Sequence, residues 1–301
     1  MKAAFEWGAP ARRARRIAAP LAIAAAALFG GSAAQAMPVP TDLVINATVE
    51  FDEAASALVF GTTQSGDMSV TVGGTASSST IASGAASPSP SIGGQLTHTG
   101  DGTAINLSMG ATVNATSRAL SAADHLLKLT NNSATDVYTV KLRVVVGNAA
   151  DADGPDAFAW SNFRLCDAAR PDCPNELLFS ALESDTVIDS PPLGFRDMVN
   201  GNPVGTSGAE LSDSLDELLT FVLNPGQMLD FWGEVLLEGQ IGEQNEDASF
   251  ASSLRSSITL ESVDVETPNG GGGGTVPEPA AALLVMLGLG LLGWQRRNAR
   301  L

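Results

Sequence analysis

Three aspartates fall within Asp151-Ala152-Asp153-Gly154-Pro155-Asp156, and carboxylate oxygens on a turning Gly-Pro backbone are the hard ligands that Ca²⁺ takes. The spacing is not that of an EF-hand, because Gly follows the second Asp and no Glu stands at the twelfth position. An acidic loop that is simply solvated is the competing reading; as a calcium site, it would suit the weak, roughly millimolar affinity of extracellular modules. The only two cysteines, Cys166 and Cys173, are separated by six residues. In an exported chain they predict a disulfide closing a hairpin-sized loop, contributing of order 2 to 3 kcal/mol. A metal or redox role would call for a C-x-x-C spacing or His partners, which the sequence does not offer.

Catalytic constellations are sparse. His98 and His125 are the only histidines, and neither G-x-S-x-G nor H-E-x-x-H occurs. His98 lies in a segment of low complexity and His125 at the start of a predicted strand, so both read as ordinary surface residues. The single Tyr138 sits in a predicted strand. Two carboxylates are enough to hydrolyse a glycoside, but with this many acids no particular pair stands out. The tripeptides Asn46-Ala47-Thr48 and Asn114-Ala115-Thr116 are of a kind expected by chance in so Asn- and Thr-rich a chain. Gly288-Leu289-Gly290-Leu291-Leu292-Gly293 matches G-x-G-x-x-G. A dinucleotide fingerprint, however, needs a soluble strand-turn-helix unit with an acid further on, and here the chain ends eight residues later within an apolar run.

The elements that must position these residues are strands. Runs recur at Leu43 to Phe51, Ala57 to Phe60, Met68 to Val72, Ala104 to Thr116, His125 to Thr130, Val137 to Val146, Phe158 to Cys166, Leu177 to Leu182, Leu218 to Leu223, Met228 to Leu237 and Ser256 to Val265. Period two dominates, as in Tyr138, Val140, Leu142 and Val144 against Lys141 and Arg143. Leu129 to Asp136 reads as a turn rich in Asn, Asp and Ser whose side chains bond their own backbone, and Leu223-Asn224-Pro225-Gly226-Gln227 as a Pro-Gly turn joining two strands. Ser212 to Leu219 is the one helix candidate, with Ser212 as N-cap ahead of acidic residues. Gly73 to Gly102, rich in Ser, Gly, Ala, Thr and Pro, reads as a long mobile loop that buries too little apolar surface to offset ordering. Strands joined by an Asn-rich turn and an x-Pro-Gly-Gln turn resemble immunoglobulin-like exoprotein sandwiches. The expected fold class is all-β: an antiparallel β-sandwich or jelly roll, with an N-terminal signal helix and a C-terminal single transmembrane helix outside the fold.

Composition narrows the function classes. The chain has 301 residues, 16 Lys plus Arg against 33 Asp plus Glu, and 5% aromatics. A net charge of -17 argues against nucleic-acid binding, which needs a basic surface to displace phosphate counterions. Residues 37 to 276 keep eight of the basic residues and 31 of the acids, for a net charge of -23. Such a surface stays soluble and attracts divalent cations.

The two ends are the most specific part of the sequence. Lys2, Arg12, Arg13, Arg15 and Arg16 precede an apolar run from Ile17 to Phe29, then Ala34-Gln35-Ala36. This is the order of a secretory signal peptide cleaved by signal peptidase after Ala36; about 13 apolar residues are too few for a stable span. At the other end a Gly-rich linker, 269–275, leads to Val276-Pro277-Glu278-Pro279, the apolar run Ala280 to Trp294, and a tail carrying Arg296, Arg297 and Arg300. As a helix that run reaches roughly 22 Å at 1.5 Å per residue, a thin or snorkelled span. Its arginines stay cytoplasmic and place the preceding chain outside.

Motif, short span and basic end together resemble the PEP-CTERM sorting signal of Gram-negative bacterial exoproteins, over residues 276–301. The resemblance implies recognition by an exosortase, a membrane cysteine protease, with cutting near Pro277-Glu278-Pro279 and delivery to the cell surface or the extracellular polysaccharide matrix. A transient anchor in the inner membrane through the C-terminal helix precedes that step, by the logic of a GPI signal. The expected organisation is a signal peptide at 1–36, an exported β-sandwich at 37–268, the linker, and the sorting signal. The expected role is structural or adhesive within exopolysaccharide or biofilm, without an enzymatic cofactor. The competing expectation is a carbohydrate-binding module or polysaccharide-active enzyme sent to the same place, for which Trp160, Trp232 and Tyr138 are the available stacking aromatics.

Overall fold

Alternating apolar residues on β-branched-rich segments bury one face of each strand, so strands of this kind are stable only when two sheets close over each other. The computed structural model describes residues 36–52, 56–58, 62–82, 91–112, 117–153, 157–185, 198–199, 202–203, 211–242 and 248–267. Among them run β1 (Leu43–Phe51), β2 (Ala57–Leu58), β3 (Thr62–Val72), β4 (Thr75–Ala82), β5 (Ser91–Gln95), β6 (Gly102–Thr112), β7 (Ser117–Asn131) and β8 (Val137–Asp153). They are followed by β9 (Ala157–Cys166), β10 (Glu176–Asp185), β11 (Met198–Val199), β12 (Asn202–Pro203), β13 (Leu211–Leu223), β14 (Met228–Ile241) and β15 (Ser249–Glu266). All lie in one unit that begins at Pro38.

The strands form two sheets with antiparallel pairing throughout. One has the order β12-β11-β10-β9-β14-β7-β1-β5 with β2 beside β7; the other has the order β13-β8-β15-β6-β3-β4. Between them lies an apolar core that includes Leu43, Ile45, Leu127, Leu129, Tyr138, Leu142, Phe163, Phe231 and Leu260. The fold class is therefore an all-β, two-sheet antiparallel sandwich.

The sandwich is not apolar along its whole length. Ser161 Oγ donates to the Ser253 carbonyl at 3.1 Å, Ser252 Oγ to the Glu238 carbonyl at 3.2 Å, and the Ala152 N–H to Ser184 Oγ at 3.1 Å. Each bond joins one sheet to the other. A serine hydroxyl lies only about 2.4 Å from its own Cα, so the backbones here approach well inside the ~10 Å of ordinary sheet packing. Small residues make this approach feasible: a Cβ on Gly239 would lie 2.1 Å from the Phe250 ring. Asn148 completes the layer, donating to the Ser161 carbonyl at 3.3 Å and Ser180 Oγ at 3.2 Å while its Oδ1 shares the single Ser161 hydroxyl proton with the Ser253 carbonyl.

Every predicted strand run overlaps a strand, residues 59–60 and 113–116 of those runs lying outside the described residues, and both turns form. Gly226 takes φ 74° in the Pro-Gly turn. The Asn131 amide donates to the carbonyls of Asp136 and Leu223 and accepts from the Ser133 N–H, tying the two turns together.

Two expectations are corrected. Ser212 to Leu219 is not a helix but part of β13, which pairs with β8 along its whole length. There Leu215 and Leu223 point inward, and a full antiparallel ladder outweighs the local helix preference of an acidic leucine-rich segment. Gly73 to Gly102 is not a continuous loop, since it contains β4 and β5. Gly73 and Gly74 make the β3–β4 hairpin turn with φ of 56° and 76°, a left-handed backbone that glycine enters without penalty. Ser and Thr serve well on a half-exposed strand such as β4, with Ile81 as its buried anchor. No helix among the described residues is long and apolar enough to cross a membrane. Residues 1–35 of the predicted signal peptide at 1–36, including Ala34, and the tail from 268 onward, including Pro277, Glu278, Pro279, Arg296 and Arg297, lie outside the described residues.

Candidate functional site

The densest chemistry lies on the outer face of the larger sheet, where antiparallel register sets side chains in rows. Glu50 on β1 pairs with Asp124 on β7, Asp124 with Glu234 on β14, and Glu234 with Arg164 on β9. Three carboxylates in adjacent register would repel one another, and two arginines relieve them. Arg164 Nε lies 2.7 Å from Glu234 Oε2. Arg170 reaches in from the Cys166–Cys173 loop, with Nη1 3.2 Å from Glu50 Oε1 and 2.9 Å from Asp124 Oδ2, while its Nη2 contacts Asp52.

The cysteine pair is joined as predicted, with a Cα–Cα distance of 5.2 Å. The loop it closes returns alongside β10, where the Asp167 N–H donates to the Asn175 carbonyl at 3.0 Å. Its function in the fold is to deliver Arg170 to the acidic row.

Trp232 occupies the same outer face yet is only 3% exposed. The Arg164 guanidinium sits over its ring at 4.7 Å, a cation–π contact, and its indole N–H donates to Asp124 Oδ1 at 2.7 Å. Asp124, itself buried, has its carboxyl pushed up to about 6. Burial raises it, the indole hydrogen bond and Arg170 draw it down, and Glu234 and Asp52 raise it again. Next to this cluster, a groove of about 330 Å³ runs between the loop and the sheet, lined by Asn46, Thr48, Leu126, Lys128, Arg170 and Asp230, among others. Asn46, Lys128 and Asp230 stand in one register row across β1, β7 and β14.

On the inner face of β7 lies His125. It was expected on the surface, and the structure corrects this: β7 begins eight residues earlier, at Ser117, so His125 is mid-strand, inward and fully buried. Its Nδ1 is 2.8 Å from Thr103 Oγ1 and its Nε2 2.8 Å from Ser256 Oγ, both hydroxyls belonging to the opposite sheet. Gly233 makes room beside it, since a Cβ there would come 3.2 Å from the His125 Cβ. Burial alone lowers the imidazole to about 3, so it is neutral, one ring nitrogen donating and the other accepting. This is a cross-sheet tie among buried side chains, since Thr103 and Ser256 are buried along with His125.

Asp101 is a second buried anchor that the sequence did not single out. Its carboxylate accepts from the backbone N–H groups of Gly73, Gly74, Thr97 and His98 at 2.8–3.2 Å. Burial pushes its carboxyl up, but the four donors outweigh this and hold it below the ordinary carboxylate value. His98 lies in the turn that Asp101 organises, its Nδ1 3.0 Å from Thr97 Oγ1.

Asp151 and Asp153 lie two apart at the end of β8, which runs past the predicted strand end at Val146, so their side chains share the outer face of the smaller sheet. Asp156 lies outside the described residues, and among those described no group of three or more His, Cys, Asp or Glu could hold a metal ion. Of the aromatics expected to stack on sugar, Tyr138 is buried in the core and Trp232 is buried under Arg164; Trp160, on the outer face of β9, is partly exposed.

The carboxyl end matches a family model. Residues 275–300 match the PEP-CTERM protein-sorting motif. The PEP-CTERM match implies export, processing by an exosortase and sorting to the cell surface. It covers the tail and not the sandwich. No curated protein matches the chain. Among solved structures, the infectious bursal disease virus Gx strain aligns over 77% of this chain and 62% of the viral one, at 9% identity and a TM-score of 0.22. The infectious bursal disease virus VP2 subviral particle aligns over 74% and 60%, at 12% identity and a TM-score of 0.20. The chain thus spans about three fifths of the length of these viral proteins, and overlap this loose carries no argument for a shared fold or function.

Proposed function

We propose that the protein is a non-enzymatic component of the cell surface or extracellular matrix of a Gram-negative bacterium, with a structural or adhesive role in exopolysaccharide or biofilm. The observation that carries this reading is the PEP-CTERM motif at residues 275–300, joined to the sandwich by a Gly-rich linker. Signal peptidase removes residues 1–36 during export; the tail anchors the chain transiently in the inner membrane before the exosortase cuts near Pro277. The domain suits an exposed location: it is acidic, its cysteines are paired, and hydrogen bonds cross between its sheets at several points.

The test is the intact mass of the protein recovered from cells and medium, in strains with and without the exosortase. A chain that begins at Met37 and stops near Pro277 only when the enzyme is present supports the reading. A mass that still includes Arg300 in both strains means a plain membrane-anchored domain and removes the matrix role. The second reading, a carbohydrate-binding module, is favoured by one observation, the polar groove beside the disulfide loop.

A further inference from the structure

We propose that the groove between the Cys166–Cys173 loop and the outer face of β1, β7 and β14 is a saccharide site that holds a neutral hexopyranosyl unit of a polysaccharide. The choice of a saccharide rests on the matrix location proposed above; the choice of a neutral one rests on the charges in the groove and on the net charge of the protein. A volume of about 330 Å³ lies at the small end of the range for small-molecule sites. Sugar recognition needs an apolar patch for the C–H face of the ring and convergent donors and acceptors for its hydroxyls. Leu126 supplies the first. Asn46, Lys128 and Asp230 supply the second, side by side in one register row at the ~4.8 Å spacing of neighbouring strands.

Further observations define this groove. Lys128 is exposed and makes no ion pair among the described residues, so its three N–H donors are open to a ligand. The Thr48 side chain faces Gly93 on edge strand β5, where a Cβ would come 2.7 Å from its hydroxyl; glycine there leaves the Thr48 Oγ1 uncrowded. Arg170 walls the groove, but its charge is committed to Glu50, Asp52 and Asp124. The charges of Lys128 and Asp230 offset each other, and the net charge of -17 repels a polyuronate. A neutral chain remains.

The test uses the full-length protein in detergent micelles and isothermal titration calorimetry with four probes: hexaoses of β-1,4-glucan, β-1,3-glucan and α-1,6-mannan, and a guluronate hexamer. At least one neutral hexaose should bind, and binding should fall tenfold or more in Asp230→Asn and in Lys128→Met. Ala169→Trp, which fills the groove from the loop side and leaves the polar row intact, should abolish it, while Trp160→Ala should leave it unchanged. Thermal melts establish that each variant is folded; should a variant of the row melt early, Ala169→Trp decides. Binding by none of the neutral probes, binding of guluronate alone, or binding that survives Ala169→Trp, whether or not Trp160→Ala removes it, overturns the proposal. Cell fractionation separates the two readings. A protein that reaches the matrix but binds no hexaose refutes the groove and leaves the matrix role standing, whereas one that never reaches the matrix refutes the latter whatever the calorimeter shows.

Discussion

Burying a neutral imidazole between two sheets makes the stability of the sandwich sensitive to acid in a way that can be isolated. His125 is held at about 3 by burial, against an ordinary value of 6.5. Because the folded value lies below the unfolded one, its contribution is fully present above pH 6.5 and is lost as pH falls toward 3, where only the unfolded chain takes up the proton. The full shift corresponds to about 4 to 5 kcal/mol at 1.36 kcal/mol per unit, and the loss between pH 7 and pH 5 to about 2 kcal/mol. Asp124 works in the opposite sense. Its folded value, about 6, lies above the ordinary 3.8, so it destabilises the charged folded state at pH 7 and relieves roughly 1 kcal/mol on the way to pH 5. The wild-type curve therefore mixes the two, and the informative quantity is the difference from His125→Gln, which removes one titration and keeps Asp124 with its neighbours Glu50, Asp52, Glu234, Arg164 and Arg170. Urea unfolding at pH 7, 6 and 5 should show the wild type losing about 2 kcal/mol relative to the variant across that range. An NMR titration in which the folded His125 ring protonates near pH 6.5, or a difference that stays constant with pH to within about 0.5 kcal/mol, refutes the reasoning.

Three other substitutions probe the same fold. Asp101→Ala removes the acceptor shared by four backbone N–H groups and should cost on the order of 3 kcal/mol; the wild-type contribution should fade in acid as pH drops through the lowered folded value, while the variant shows no such fading. Gly239→Ala puts a methyl 2.1 Å from the Phe250 ring and should destabilise by about 1 to 3 kcal/mol through overpacking, a loss that Phe250→Leu in the same chain should partly restore in thermal melts. Replacing Cys166 and Cys173 together by Ser should lower stability by about 2 to 3 kcal/mol and should expose Trp232 to collisional quenching of its fluorescence, because the loop that holds Arg170 against the acidic row is no longer closed.

The strands were legible because their chemistry is local. In β1 and β8, apolar residues alternate with polar ones over seven positions, Ile45 to Phe51 and Tyr138 to Val144, and period two needs no knowledge of the partner sheet. In the first half of β7 the inward positions are Ala119, Ser121, Ala123 and His125, which carry almost no hydrophobic signal. They are small and polar because the opposite sheet comes close and supplies hydroxyls, a tertiary fact. A different reason hid β4, whose mostly exposed Ser and Thr follow the composition of a linker. β13 failed in the other direction: Asp213, Asp216 and Glu217 ahead of leucines imitate the acidic first turn of a helix, and only the ladder to β8 overrides that preference.

The outer-face site shows a sharper limit. The disulfide was predictable from two cysteines and an export signal, yet nothing in Cys166 to Cys173 marks Arg170 as the partner of Glu50, Asp52 and Asp124, which lie 46 to 120 residues away in the chain. Register is what assembles them, and a shift of one residue in β7 would exchange Asp124 with His125, putting the carboxylate between the sheets and the imidazole outside. The two groups that most depend on burial are thus adjacent in sequence and opposite in face. Each penalises the wrong register: His125 has hydroxyl partners only inward, and Asp124 has an arginine and an indole N–H only outward. This polar pair therefore fixes the register of the central strand that carries Leu126 and Lys128 into the groove, and the position of that groove on the sheet follows from it.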